Sequence, residues 1–406
     1  MIFLNKYFKG DPNIWAIIVG LSVFSLLAVY SSTGTLAYLH KGGNTAIYII
    51  RHSGLLTLGL TGAFVLHMFP YKYYARLSQW LIILVVPLLL VTLLFGADVN
   101  NARRAFMGFQ TSDLAKLALI MFLAQRLASR QDEIRDFKKT LLPMFIIIGL
   151  ICVLILPSNF STAAMLFGIC VILLFVGRAS VRQLSGMCII MLMSGAILVG
   201  SLYGLQKAGM NNVVTQRAET WVKRVDRFIG NNPEDNSLTE NYQPLQAKIA
   251  VGTGGFFGNG PGNSVQRNFL PHPYSDFIFA IILEEYGILG GLIVLFLYLN
   301  LLYRSILIVR KCDKTFPAFL VLGLSLSVVF QAFINMSVAV GLMPVTGQPL
   351  PLISMGGTSI LFTGAAFGII LSVSREVRKE EEVKNRRIAE RKAVETEQES
   401  IIEDIH

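Results

Sequence analysis

The sequence predicts an all-α, polytopic membrane protein, and three observations carry that reading. Hydrophobic residues fill 53% of the 406 positions and charged residues 15%. Mean hydropathy is +0.59, outside the range of a soluble domain of this length. The apolar residues gather in runs close to the roughly 20 that a bilayer core requires. Lysine and arginine are distributed unevenly around those runs. The loops on one side hold fifteen of them between Lys6 and Lys314, whereas the short loops on the other side hold Lys41, Arg51, Arg103 and Arg104. With the positive side inward, both termini are cytoplasmic.

Ten helical spans are expected, at about 13–33, 53–70, 78–96, 112–128, 139–156, 160–177, 184–205, 287–307, 316–340 and 353–374. The first is read as a retained span, because Met1 to Pro12 is polar and no small-residue cleavage site follows the apolar run. Residues 1–374 form the membrane domain. Within it, 206–275 is the one large extracytoplasmic loop, between spans 7 and 8. Its glycine, aromatic and apolar residues argue against disorder. Residues 375–406 form a cytoplasmic tail with ten acidic and eight basic side chains, expected as a helix with a frayed end. It reads either as a solvated extension or as a docking element.

The net charge of +10 lies in loops flanking spans, where topology and anionic lipid account for it without nucleic acid. Cys152, Cys170 and Cys188 sit in apolar runs and Cys312 follows Arg310-Lys311, a spacing that fits neither disulfides nor a metal site. P-loop, zinc, dinucleotide and Ser-His-Asp patterns are not found in the sequence. His67, inside an apolar span, reads as a satisfied interior histidine.

The segment richest in chemistry runs from Gly252 to Gly291. Gly252, Gly254, Gly255, Gly258, Gly260 and Gly262 would let backbone approach a ligand closely. Leu270-Pro271-His272-Pro273-Tyr274-Ser275 then leads to Asp276, at the start of an apolar helix. Asp276 can cap that helix, act as a base made stronger by partial desolvation, or do both. Glu284 and Glu285 lie about 12 Å further along the helix, beyond the separation of a two-acid glycosidase pair. They are expected to face other helices or water.

Arg217, Trp221, Arg224 and Phe228 form one helical stripe. It suits either a helix lying along lipid headgroups or a phosphate clamp that Lys248 could join. Asn100 to Arg104 leads into Gln110-Thr111-Ser112-Asp113, where Thr111 or Ser112 would cap the fourth span. Asp113 and Lys116 are placed i, i+3 to pair. Asn335 precedes Gly341 to Ser359, whose three prolines and missing charges predict a stiff re-entrant turn. Such backbone is tolerated only inside protein or along a cavity. Gly356-Gly357 would permit close helix packing there.

These segments resemble the SEDS family (shape, elongation, division and sporulation) of membrane peptidoglycan glycosyltransferases, over most of the chain to about residue 374. The most specific matches are Gly260-Pro261-Gly262-Asn263-Ser264-Val265-Gln266-Arg267, Asp276-Phe277-Ile278-Phe279, Glu284-Glu285-Tyr286-Gly287 and Gln348-Pro349-Leu350-Pro351-Leu352-Ile353-Ser354-Met355-Gly356-Gly357. Departures occur at Asn100 to Ala105, where a tryptophan is missing, and at Gln110 to Asp113, where a proline is missing. At Ser158-Asn159 the family's acid is an amide, so no catalytic or metal role passes to Asn159.

The resemblance implies ten spans and a large outer loop before the eighth. It also implies a catalytic aspartate at Asp276 that polymerises lipid II, a disaccharide-peptide on a polyprenyl pyrophosphate, at the outer face of the bacterial cytoplasmic membrane. Arg217, Arg224, Lys248, Lys116 and Arg104 are the candidates for stabilising the departing pyrophosphate, alone or with a divalent cation (Mg or Mn). Glu284, Asn335, Ser354, Gly356 and Gly357 are assigned structural or cavity-lining roles. Asn335 through Gly357 and the charged tail favour the division type, working at the septum, over the elongation type. A class B penicillin-binding protein transpeptidase and other division proteins are the implied partners. A lipid flippase or transporter is the alternative function.

Overall fold

A computed structural model describes residues 8–34, 38, 44–95, 97–99, 102–106, 109–207, 220–222, 238–270 and 272–403. The chain is built from α1 (Pro12–Ser32), α2 (Ala46–Met68), α3 (Lys72–Phe95), α4 (Thr111–Ser129), α5 (Leu142–Ile155), α6 (Phe160–Val176), α7 (Val181–Lys207), α8 (Leu238–Gly254), α9 (Ile278–Lys311), α10 (Thr315–Ala339) and α11 (Ser359–Glu403). A small antiparallel sheet between α3 and α4, β1 (Ala97–Val99), β2 (Ala102–Phe106) and β3 (Phe109–Gln110), was not foreseen from the sequence. The chain is a multi-pass membrane protein. Among the described residues, eight helices are long and apolar enough to cross a bilayer, α5 being so together with the π-helical turn Phe137–Leu141 that leads into it, and α6 is a shorter apolar helix. α4 occupies the fourth expected span but does not reach that hydropathy.

The weak hydropathy of α4 follows from where it packs. Ala115, Ala118, Leu119, Ile120, Met121, Leu123 and Ala124 are all buried, so protein surrounds this helix nearly all round. It therefore needs little of the apolar surface that lipid contact demands, and it carries Asp113 and Lys116 internally. α7 is the converse: its apolar window has no buried residue. α3 exposes Trp80, Ile83 and Leu94 on its outer side.

Two cross-helix contacts give the bundle a ruler. Asp11 caps α1 through the Asn13 amide (2.9 Å) and also accepts from Arg304 Nε of α9 (2.8 Å). At the other end of α1, and seven residues inside the start of α9, the Ser31 hydroxyl donates to the Glu285 carboxylate. Twenty residues of α1 separate these planes and nineteen of α9, each about 30 Å of helix. That is the thickness of a hydrocarbon core.

Helix boundaries depart from expectation at four places: α2 begins at Ala46 and α3 at Lys72, ahead of residues 53 and 78, and α9 and α11 differ as well. α9 begins at Ile278, well before residue 287, and is broken at Gly287 (φ 66°, ψ −170°). α11 begins only at Ser359 and continues unbroken through the charged tail to Glu403. Close helix packing also lies elsewhere than expected. Gly357 has open space where a Cβ would stand, and one on Gly356 would be in ordinary contact with Pro349 and Ser359. The tight contact is between α11 and α2, where a Cβ at Gly364 would stand 2.3 Å from Gly59 O and one at Gly368 2.6 Å from Ala63 O. Both helices thus present small residues four apart, the pattern that lets backbones touch in lipid.

Gly364→Ala is accordingly expected to force α11 off α2 and lower the thermal transition of the detergent-purified protein. Gly252→Ala, which adds a Cβ into open space, should leave that transition unchanged. Equal transitions for the two variants would contradict this packing.

Candidate functional site

Residues 273–277 form a run of turns between Pro273 and the first turn of α9. Three consecutive carbonyls of this run are each held by a donor from elsewhere in the chain. Tyr274 O accepts from Met355 N (2.9 Å), Ser275 O from Ser354 Oγ (2.7 Å), and Asp276 O from Asn335 Nδ2 (2.8 Å). The backbone under Asp276 is therefore clamped. Its carboxylate is half-buried and accepts from Ser275 Oγ at 3.0 Å. Asp276 is not the helix cap: that position is Phe277, and no side chain caps the first turn. Burial raises the Tyr274 phenol above its ordinary pKa, with Tyr48 and the Asp276 charge adding to the effect. The His272 ring contacts the same phenol oxygen at 3.1 Å.

The clamp belongs to the segment between α10 and α11, which is non-helical as its prolines predict. Pro349 and Pro351 have no amide hydrogen, so this stretch chiefly needs donors for its carbonyls. Asn335 Nδ2 reaches Gln348 O (2.8 Å) and Gln331 Nε2 reaches Pro349 O (2.9 Å). Tyr298 Oη donates to Pro351 O (2.5 Å) and Ser25 Oγ to Ile353 O (3.0 Å). Gln348 Nε2 in turn donates to Thr162 Oγ1, beside the α6 start that Asn159 caps through the Thr162 amide (3.2 Å). The Gln110 amide, at the start of α4, donates to Thr358 Oγ1 (3.0 Å). Thr111 and Ser112 lie inside α4 and neither caps it.

Lys116 pairs with Asp113 at 2.7 Å, as their spacing predicts, and donates to Gln331 Oε1 at 2.7 Å. Both members of the pair are buried. The Lys116 ammonium thus has two partners inside the protein, and in this structure it supports Gln331. Lys248 is exposed on α8 and its stem lies over Gly341, where a Cβ would stand 2.5 Å from Lys248 Cε. Arg217 and Arg224 lie outside the described residues. Arg104 is a β2 residue whose side chain also lies outside them. From the stripe with Arg217 and Arg224, Trp221 is described, its ring tilted by 41° to that of Phe160 with centroids 5.5 Å apart.

Within the glycine-rich stretch, Gly254 and Gly258 approach the backbone of α9 closely, whereas Gly252, Gly255 and Gly262 have open space where a Cβ would stand. At the Gly287 break, Glu284 O and Glu285 O accept from Asn259 N and Gly260 N, each at 2.9 Å. Ile288 N and Leu289 N donate to Gly255 O (3.0 Å) and Phe256 O (3.3 Å). A Cβ on Gly254 would stand 2.0 Å from Leu283 O, and one on Gly258 2.2 Å from Glu285 O. Glu284, 1% exposed, accepts from the Ser264 hydroxyl and from the amides of Val265 (2.9 Å) and Gln266 (3.2 Å). It fixes the loop and takes no part in a two-acid pair with Asp276. Gln331, Tyr298 and Ser25 were missed from the sequence. The one available signal was that Gln331 stands four residues before Asn335, on the same face of α10.

A family model described as a cell cycle protein, covering FtsW, RodA and SpoVE, matches residues 12–379. A probable peptidoglycan glycosyltransferase FtsW of Coxiella burnetii is 32% identical over 89% of this chain and 96% of its own length. Stage V sporulation protein E of Bacillus subtilis is 30% identical over 90% and 98%. A solved chain from a peptidoglycan synthase complex that coordinates polymerization and crosslinking superposes with a TM-score of 0.68, at 25% identity over 91% and 98%. The rod shape determining protein RodA of Thermus thermophilus shares the fold, with a TM-score of 0.63 at 24% identity over 90% and 97%.

Asn335→Ala would orphan the carbonyls of Asp276 and Gln348, at about 1–3 kcal/mol each, and the loss should appear in thermal unfolding. Lys116→Met leaves Asp113 buried without its partner and should cost about 3–5 kcal/mol. The double variant Asp113→Leu/Lys116→Met should recover most of that stability. Recovered stability without recovered activity would return Lys116 to the ligand-binding set.

Proposed function

The chain belongs to the FtsW, RodA and SpoVE family of cell cycle proteins, and from that premise we infer that it is a peptidoglycan glycosyltransferase that polymerises lipid II. The relatives named probable peptidoglycan glycosyltransferase FtsW support the activity. One observation carries the assignment of Asp276 as its base. The backbone of residues 274–276 is fixed at every carbonyl, while among the described residues the carboxylate has only the Ser275 hydroxyl as a hydrogen-bond partner. A fixed carboxylate with free acceptor capacity is what proton abstraction requires.

In the proposed reaction, Asp276 takes the proton from an acceptor sugar hydroxyl as that oxygen bonds to the anomeric carbon of the donor. The bond from that carbon to the pyrophosphate oxygen breaks, and the pyrophosphate departs on its lipid. Cations must meet the charge that develops there. Lys248, Arg217, Arg224 and Arg104 are the side chains proposed for it. Among the described residues no three His, Cys, Asp or Glu side chains come together. A divalent cation would therefore be held by Asp276 and the substrate's own phosphate oxygens.

The cellular setting proposed is the cytoplasmic membrane at the division septum, with both termini inside and Asp276 toward the outer face. The FtsW relatives support the septal role. The solved complex that coordinates polymerization and crosslinking supports a class B penicillin-binding protein as partner.

Asp276→Asn, purified and reconstituted with that partner and lipid II, is expected to make glycan about 100-fold more slowly or not at all, with an unchanged thermal transition. Full activity in this variant would remove Asp276 from the mechanism. In sealed liposomes with lipid II on one face, the wild-type chain should make polymer. Substrate that changes sides without forming glycan would support the flippase instead.

A further inference from the structure

We infer that the Gly255–Gly260 turn is a re-entrant hydrophobic finger whose Phe256 and Phe257 insert into the acyl chains of the leaflet on the Glu285 side. Phe257 is 78% exposed and Phe256 58%, and the two rings meet edge to face at 5.0 Å. Two adjacent exposed phenylalanines on one turn form an apolar patch, like the lipid-facing residues of the spans, and an apolar surrounding would cover it.

The neighbouring helix indicates what covers them. The turn is bonded to α9 through Ile288 N and Leu289 N, and this is where α9's exposed apolar row begins, with Ile288, Leu289, Leu292, Ile293 and Phe296. Taking the ~30 Å between the two contacts as the hydrocarbon slab puts Ser31 and Glu285 at one edge and Asp11 and Arg304 at the other. Ile288 and Leu289 lie three and four residues inside that edge, about 5 Å of helix rise. A turn fastened at that level has its side chains at acyl-chain depth, continuous with the lipid-facing row below. Its polar backbone can enter because the break at Gly287 supplies partners for it, as non-helical backbone in a bilayer requires. Gly255 (φ 55°) and Gly258 (φ 81°) make the reversal on either side of the phenylalanines. The inference is independent of the sugar-transfer reading, since it rests on exposure, hydrogen bonding and helix length.

The test uses the full chain in vesicles of phosphatidylcholine and phosphatidylglycerol without any polyprenyl lipid. Phe257→Trp is placed in a background in which Trp15, Trp80 and Trp221 are changed to Phe. Phospholipids brominated near the headgroup end of the acyl chains are expected to quench the added indole roughly twofold, as for a group held ~5–10 Å into the acyl boundary. Bromines near the chain ends should quench less, and aqueous iodide should have little effect. Strong iodide quenching without bromolipid quenching would overturn the proposal. Protection from both quenchers would also overturn it, because protein, such as a second copy, would then cover the finger. Hydroxyl-radical footprinting of the unaltered protein in the same vesicles keeps the question decidable if the tryptophan variants fail to fold. Phe256 and Phe257 should be protected, and heavy oxidation of either would sink the proposal.

Discussion

Carbonyl groups held at membrane depth outside any helix are the constraint on which the rest of this structure depends. Ser25 lies six residues below Ser31 on α1, about 9 Å of rise, and it is Ser25 that holds Ile353 O. The segment from Gln348 to Ile353 therefore runs where water cannot supply donors. Side chains from α1, α9 and α10 take water's place at four of its carbonyls. Each donor must then be buried and itself held. The Lys116–Asp113 pair steadies Gln331, and Ser25 contacts His52 at 2.7 Å. The polar residues inside this bundle are thus explained first by the backbone they satisfy.

The same logic governs α9. A helix broken at Gly287 frees carbonyls and amides in the membrane, and the glycine-rich strap returns hydrogen bonds to both. The strap in turn needs Glu284 to gather its amides. The two irregular segments come together at Asp276. Its chain leads directly into α9, and its backbone is clamped by the proline-rich segment and by Asn335.

Much of this was legible in residue order. The apolar runs and basic loops gave the membrane class, the i, i+3 spacing gave the Asp113–Lys116 pair, and prolines without charge gave the re-entrant segment. His67 is buried against Trp15 and Phe64 as its apolar setting predicts. What misled was chemistry with two equally good local uses. Glycines serve backbone–backbone contact as readily as ligand contact, and only the positions of Leu283 O and Glu285 O distinguish the two. Asp276 before an apolar run reads as a cap, but the helix starts one residue later than capping would need. A lysine inside a span reads as a ligand or a partner, and its choice depends on Gln331, distant in sequence. The small residues Gly59, Ala63, Gly364 and Gly368 carried a readable spacing, but nothing local pairs α2 with α11.

The bracing also bears on how the protein works. An alternating-access transporter moves one group of helices against another about its binding site. Here the segments around Asp276 are tied to α1, α4, α6, α9 and α10, through Ser25, Gln110, Thr162, Tyr298, Gln331 and Asn335. Rocking any one of those helices away would leave a carbonyl or amide without its partner at membrane depth, at about 1–3 kcal/mol for each group. A polymerase has no need of that motion. It requires reacting groups whose positions persist from one transfer to the next, and cross-bracing from five helices holds the backbone at Asp276, the base proposed above, in that way.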